Sequence, residues 1–250
     1  MNLRISKKII IIFSLLFIGA ASSVFMNYRN TTTFIKIDRS LPIYCIDTKE
    51  KKIALSFDVS WGKDNTEKIL ETLDKYNVKA TFFVVGGWID QYPDKLKEIY
   101  KRGHEIGNHS NMHPDMTKLS REKIIQDIDI ADAKIMQVTG EPTKLFRCPS
   151  GSYNDTVIEI VKETGHYCVQ WDVDSVDWRE EGSDLEYNRV IKNTKSGSIL
   201  LFHNNAKYTP DNLPRIIEKL QSEGYKFVKV GDLIYKDNYK IDYSGKQIAN

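Results

Sequence analysis

Only three cysteines occur in the 250 residues, Cys45, Cys148 and Cys168, and they are not closely spaced. An odd count so dispersed excludes a framework of several disulfides, leaving one bridge at most and free, partly buried thiols as the expectation. A basic face is missing too. The 36 Lys and Arg stand against 34 Asp and Glu, and the small excess sits at the start, in Arg4, Lys7 and Lys8. Beyond them the charge is near neutral, which argues against nucleic acid as a partner. No Gly-, Ser- or Pro-rich linker interrupts the middle of the chain and no internal repeat is visible, so one large domain is expected rather than two small ones. No protein partner is evident.

Behind the three basic residues lies an uncharged, mostly apolar run of 18 residues, Ile9 to Met26. Its length approaches the roughly 20 residues that span a bilayer as a helix and exceeds the about 7 to 15 of a cleaved signal core. The reading is an uncleaved signal-anchor, residues 1–26, with its N-terminus cytoplasmic and the rest of the chain exported. A signal cleaved near Gly19-Ala20-Ala21, giving a secreted protein, is the alternative. Residues 27–50 read as a polar stalk or lead-in.

Short apolar runs then alternate with amphipathic ones. Strands are expected at 52–57, 81–85, 105–108, 145–147, 167–171, 198–202 and 226–230. Helices are expected at 66–76, 121–138, 153–164, 185–194 and 213–223, with Ile69, Leu70 and Leu73 forming one apolar stripe and Ile124, Ile125, Ile128 and Ile135 another. Regular βα alternation implies an α/β fold with a parallel sheet. Seven strands in a domain of residues 51–235 fall short of an eight-fold barrel of about 250 residues, so a distorted or incomplete (β/α) barrel is expected. The tail, 236–250, is polar and reads as peripheral.

The stretch HSNMHP, residues 109–114, places His109 and His113 four apart, a spacing that on a helical turn lets two imidazoles converge on one metal ion and that ordinary surface loops share. The rest of the chain adds weight. Asp58, His109, Arg147, Asp174 and His203 each fall at or just after the end of a different expected strand. In a parallel βα architecture those ends share one face, where active sites are built.

These residues lie in SFDVS (56–60), HSNMHP (109–114), RCPSG (147–151), DSVDW (174–178) and LFH (201–203). In that order and placement they resemble the five motifs of the polysaccharide deacetylase family, carbohydrate esterases with a NodB-homology domain, over roughly residues 50–235. The resemblance implies a distorted (β/α) barrel and metal-assisted hydrolysis of N-acetyl groups on the amino sugars of a glycan. By it, His109 and His113 would bind a divalent metal, usually zinc, and Asp58 would be the general base. Arg147 would pair with Asp58, His203 would protonate the departing amine, and Asp174 would orient His203. The backbone N–H of Ser150 would share the developing oxyanion. Trp178 and Leu201 would line the acetyl pocket, with core packing as the other reading of each. Asp172 and Asp177 read as loop solvation or local hydrogen bonding, and His104 and His166 match no motif.

One position departs from the family's pattern. Two adjacent aspartates usually end the first strand, the second completing the metal triad; here that second residue is Val59. An isopropyl group binds no cation, so a weakened site is expected. Asp64, in the following loop, is the nearest carboxylate by sequence that could replace it. Two functions follow: a deacetylase with an atypical metal site, or a barrel that has lost catalysis and serves in glycan binding or cell-wall assembly. The FDVSWG form of the first motif resembles the sporulation-associated branch, which implies peptidoglycan, and muramic acid of the spore cortex, as substrate.

Overall fold

The computed structural model describes residues 40–250. The expected signal-anchor and most of the expected stalk lie outside the described residues. Among the described residues no helix is long and apolar enough to cross a membrane.

Strand β2 (Lys52–Val59, KIALSFDV) organises the rest. From Ile53 to Val59 it is buried on both faces, as a strand in a parallel sheet covered by helices must be. A path of seven strands runs β6 (Tyr167–Cys168), β5 (Leu145–Phe146), β4 (Glu105–Asn108), β3 (Thr81–Val84), β2, β8 (Ile199–His203) and β7 (Val173–Asp174); β9 (Lys226–Val228) pairs with the start of β2. Every ladder in this sheet is parallel. The two end strands, β6 and β7, are successive in sequence, with residues 169–172 between them and no ladder joining them, so the sheet curls into a half-barrel. The expected strand 167–171 is therefore two elements: its first residues pair with β5, and the chain then crosses the open side to pair with β8.

Side chains alternate across β2. Ile53, Leu55, Phe57 and Val59 enter the large apolar layer that also holds Ile69, Leu70, Leu73, Trp88 and Ile216 from the helices. Ser56 and Asp58 point the other way, into the barrel. All five expected helices form, as Thr66–Lys75, Arg121–Thr139, Asp155–Glu163, Ser183–Asn193 and Thr209–Ser222. In the longest, the Ser120 hydroxyl caps the start and Gly140, at φ 78°, ends it; Ile124, Ile128, Ala131 and Ile135 are buried, while Ile125 is only half-buried.

Three further helices among the described residues, Gly86–Gln91, Pro93–Lys101 and the short Val230–Leu233, lie outside the expected set. The first begins on two glycines, poor helix formers chosen for another reason. A Cβ on Gly86 would meet Asn111 Oδ1 at 2.5 Å, and one on Gly87 the Trp61 ring at 2.7 Å. The bare backbone there lets the HSNMHP loop lie close against the helix start.

The polar tail is not peripheral. β10 (Tyr239–Ile241) and β11 (Lys246–Ala249) form an antiparallel pair, and β11 runs parallel to β1 (Cys45–Ile46) in the lead-in. Gln247 is fully buried, its amide exchanging two 2.8 Å hydrogen bonds with the Tyr235 backbone. Just before β1, Ile43 donates to Cys168 O at 2.9 Å and accepts from Gln170 N at 2.7 Å, so the lead-in also covers the chain where it leaves β6. The three cysteines are free and buried, with Cys148 and Cys168 Sγ 3.7 Å apart.

Candidate active site at the strand ends

Because β2 and β8 are parallel and in register with Asp58 opposite His203, a carboxylate and an imidazole emerge side by side at one end of the sheet. Arg147 enters from the residue after β5 and is completely buried. Its Nη1 donates to Asp58 Oδ1 at 2.7 Å, and its Nη2 donates to Ser56 Oγ at 2.9 Å and Gln170 O at 3.2 Å. Its guanidinium also lies 3.9 Å from the Phe83 ring centroid. A buried cation is tolerable only when so enclosed by acceptors. Burial pushes the Asp58 carboxyl up, yet His109 and Arg147 beside it hold it below its ordinary value, so it stays ionised.

His109 follows β4 and is also buried. Its Nδ1–H donates to Arg147 O at 2.8 Å, which leaves the Nε2 lone pair facing Asp58 Oδ2 across 3.4 Å. Burial lowers its pKa to about 4, so the ring is neutral. Two lone-pair-bearing atoms facing each other form a donor set suited to a cation.

His113 reaches the same place, though not on a helical turn as its spacing suggests. Ser110 and His113 adopt left-handed backbone conformations, φ 69° and 56°, and fold residues 109–113 into a loop. Ser110 Oγ accepts from His113 N at 2.8 Å, Asn108 Oδ1 from Ser110 N at 2.7 Å, and Asp127 Oδ1 from Asn111 N at 2.8 Å. The loop brings the two imidazole centroids to 5.0 Å at 74°.

The third ligand is missing. Val59 is fully buried in the apolar layer, and Asp64 does not take its place. The Asp64 carboxylate pairs with Lys95 and accepts from Thr66 N at 2.9 Å. Among the described residues no group of three His, Cys, Asp or Glu side chains could hold a metal ion. The residues present thus fit a divalent cation through two imidazoles, with one protein ligand fewer than the family's triad.

His203, the last residue of β8, is oriented by an aspartate, but not by Asp174. Asp177 Oδ1 lies 2.7 Å from His203 Nδ1, and its Oδ2 accepts from the His203 backbone N–H at 2.8 Å. Asp174 ends β7 and turns back on its own chain, its Oδ1 accepting from Val176 N at 2.8 Å, so it acts on His203 only through space. The chain turns sharply after β7, with Val176 at φ 54°, and carries Asp177 under the histidine in a short turn, 177–179. Burial would lower the His203 pKa, but the Asp177 hydrogen bond and charge raise it. Asp177 lies in the same DSVDW stretch as Asp174, and no signal in the sequence separates the two.

Of the remaining expected residues, Ser150 stands at φ 53° in the turn 149–151, whose neighbouring amides, Gly151 N and Ser152 N, are bonded to Cys148 O and Pro149 O. Leu201 is buried and shares a face of β8 with His203. Trp178 is 54% exposed, which rules out core packing, and Arg179 lies over its ring. Asp172 accepts from Ile199 N and Ser198 Oγ. His104 accepts from Ala80 N through Nδ1, and His166 sits between Asp132 and Thr143, so both are structural.

Known proteins place this geometry in context. A family model described as polysaccharide deacetylase matches residues 46–169. The chain is 32% identical to the Bacillus subtilis peptidoglycan-N-acetylmuramic acid deacetylase PdaA, over 82% of this chain and 80% of the relative. It is 36% identical to a Bacillus cereus peptidoglycan-N-acetylglucosamine deacetylase, over 76% of this chain and 91% of that one. It spans 60% of another relative, the Bacillus subtilis protein YlxY. Among solved structures, wild-type BA3943 of Bacillus anthracis, described as a CE4 family pseudoenzyme, is similar with a TM-score of 0.74 and 34% identity, over 77% of this chain and 68% of that one. A mutant of BA3943 is described as having restored enzymatic activity.

Proposed function

This chain belongs to the polysaccharide deacetylase family, and on that premise we propose that it is a hydrolase removing N-acetyl groups from the amino sugars of a cell-wall glycan, peptidoglycan. The observation that carries the reading is the in-register pair at the strand ends: Asp58, held ionised by buried Arg147, beside His203, whose charged form Asp177 favours.

Each residue has one task. Asp58 Oδ2, the oxygen that Arg147 leaves free, takes the proton of the attacking water. Arg147 fixes that carboxylate in place and keeps its pKa low. His203, with Nδ1 tied to Asp177, presents Nε2–H to the departing amine and protonates it. The Ser150 N–H meets the developing oxyanion, and Leu201 and Trp178 wall the acetyl group. A divalent cation, zinc by the family's habit, would be held by His109 and His113 and would polarise the acetyl carbonyl and acidify the water.

A second reading is favoured by Val59: a barrel with impaired catalysis that binds glycan or serves wall assembly, a course for which the pseudoenzyme relative is a precedent. Under either reading we place the domain outside the cytoplasmic membrane, anchored by the run Ile9–Met26, with spore cortex as the setting.

The test is to titrate zinc, cobalt or nickel into the purified protein while measuring acetate released from N-acetylated peptidoglycan. Metal-dependent acetate is the expected result. Tight glycan binding without acetate under every metal would overturn the enzyme in favour of the binding protein.

A further inference from the structure

Behind His203 the polar chain continues into the protein. Asp177 Oδ2 accepts from Thr209 Oγ1 at 2.9 Å, and the same Thr209 oxygen lies 3.2 Å from Glu186 Oε1. Asp177, Thr209 and Glu186 are all buried, and Glu186 Oε2 has no hydrogen-bond partner among the described residues. The helix Ser183–Asn193 supplies Glu186 and the helix Thr209–Ser222 supplies Thr209, so two elements converge on the aspartate under the histidine.

A threonine hydroxyl has one hydrogen to give, and here two carboxyl groups flank it. Burial first, and the charge of Asp177 second, push the Glu186 carboxyl up to about 7; Asn212, Thr209 and Arg215 act in the opposite sense. Near neutrality, therefore, Glu186 exchanges between two forms. As an acid it donates to Thr209 Oγ1, leaving the Thr209 hydrogen wholly to Asp177. As an anion it competes for that hydrogen, so the Asp177 carboxylate shares less of its charge with Thr209 and holds the imidazolium more firmly. The added negative charge works in the same direction. The other charged or titratable groups acting on His203 are Asp58 from β2, Asp174 from β7 and His113 from the HSNMHP loop.

We propose that Glu186 is a positioning residue that, through Thr209 and Asp177, sets the pH range over which His203 holds the proton it gives to the departing amine. This rests on the acid role of His203 proposed above, but its first readout does not need turnover.

The experiment is an NMR titration of the His203 imidazole in the wild type, Glu186→Gln, Thr209→Val and the double variant, alongside pH profiles of acetate release. The Glu186→Gln amide mimics the neutral, donating form at every pH, so the His203 pKa is expected to fall by roughly 0.5 to 1 unit. The alkaline limb of kcat should move down by the same amount with KM unchanged. Thr209→Val should reduce the effect of adding Glu186→Gln to its through-space part, and Thr209→Ser, which keeps the hydroxyl, should restore it in full. A His203 titration identical in the wild type and Glu186→Gln would overturn the proposal. So would an undiminished Glu186 effect in the Thr209→Val background, which would remove the hydroxyl from the path. A His203 shift in a protein that releases no acetate would instead sink the deacetylase reading and leave this coupling standing.

Discussion

The two halves of the site differ in how completely they are built. On the acid side, His203 rests on Asp177, which rests on Thr209 and Glu186, four groups drawn from two helices, a turn and a strand. On the other side, His109, His113 and Asp58 converge with Arg147 behind them, but the strand position that should supply a further carboxylate carries Val59 instead. On the function proposed above, the proton-transfer groups keep their supporting structure, while the proposed cation site has one donor fewer than the family's pattern. A barrel retained only for glycan binding has no need of a buried arginine under a carboxylate, since that pair costs desolvation without contributing much net stability.

The largest expected effects break the proton-transfer side. His203→Gln should slow acetate release by about 10²- to 10⁴-fold with the fold intact, because the side chain is partly open to solvent and its removal leaves no cavity in the core. Steady-state rates at saturating metal check this. If binding alone were the function, glycan affinity would survive and there would be no rate to lose.

Arg147→Met strips the buried partner from Asp58 and should lower unfolding stability by about 3 to 5 kcal/mol, as urea titration would show. A loss below about 1 kcal/mol would mean that water reaches Asp58 and that the pair is not truly buried.

Val59→Asp sharpens the comparison from the other side. Val59 faces the apolar layer, so an aspartate there should cost about 2 to 4 kcal/mol in the metal-free protein. If the local strand end can rotate the new carboxylate toward His109 and His113, zinc should restore the melting temperature and metal affinity should rise. Unchanged affinity would mean that the strand end is too rigid to turn.

A pH-dependent effect concerns a histidine outside the site. Burial lowers the His104 pKa to about 4, against its ordinary 6.5. The unfolded chain therefore binds a proton that the folded one refuses, and stability should fall as pH drops from about 6.5 to 4, by up to about 1.4 kcal/mol per unit. His203 has the opposite sign: its raised pKa contributes stability that is present below about 6.5 and is lost as pH rises through the folded value. His104→Leu should make the acid slope shallower, leaving the part that buried His109 contributes, and leave the alkaline one unchanged, a contrast visible in denaturation midpoints across pH.

Much of this site was legible in the sequence because strand alternation and parallel order are local and regular. An apolar run ending in Asp58, and another ending in His203, had to emerge on one face once both were strands of a parallel sheet. What escaped was set by backbone turns. Asp174 and Asp177 are three residues apart, and only the left-handed Val176 between them decides which one reaches His203. The approach of His113 to His109 likewise depends on two positive φ angles that the four-residue spacing does not reveal. Glu186 reads as an ordinary acidic residue in the first turn of a helix until packing buries it. The pairing of the tail is not legible because its strands, β10 and β11, are short and largely polar and find their partner β1 at the far end of the domain's sequence.

The most direct test is mass spectrometry of peptidoglycan fragments after incubation with the wild type or with Asp58→Asn at saturating divalent metal. Asp58 as the base of a deacetylase requires fragments that lose acetyl groups with the wild type and keep them with Asp58→Asn. Equal acetylation after both treatments would contradict it.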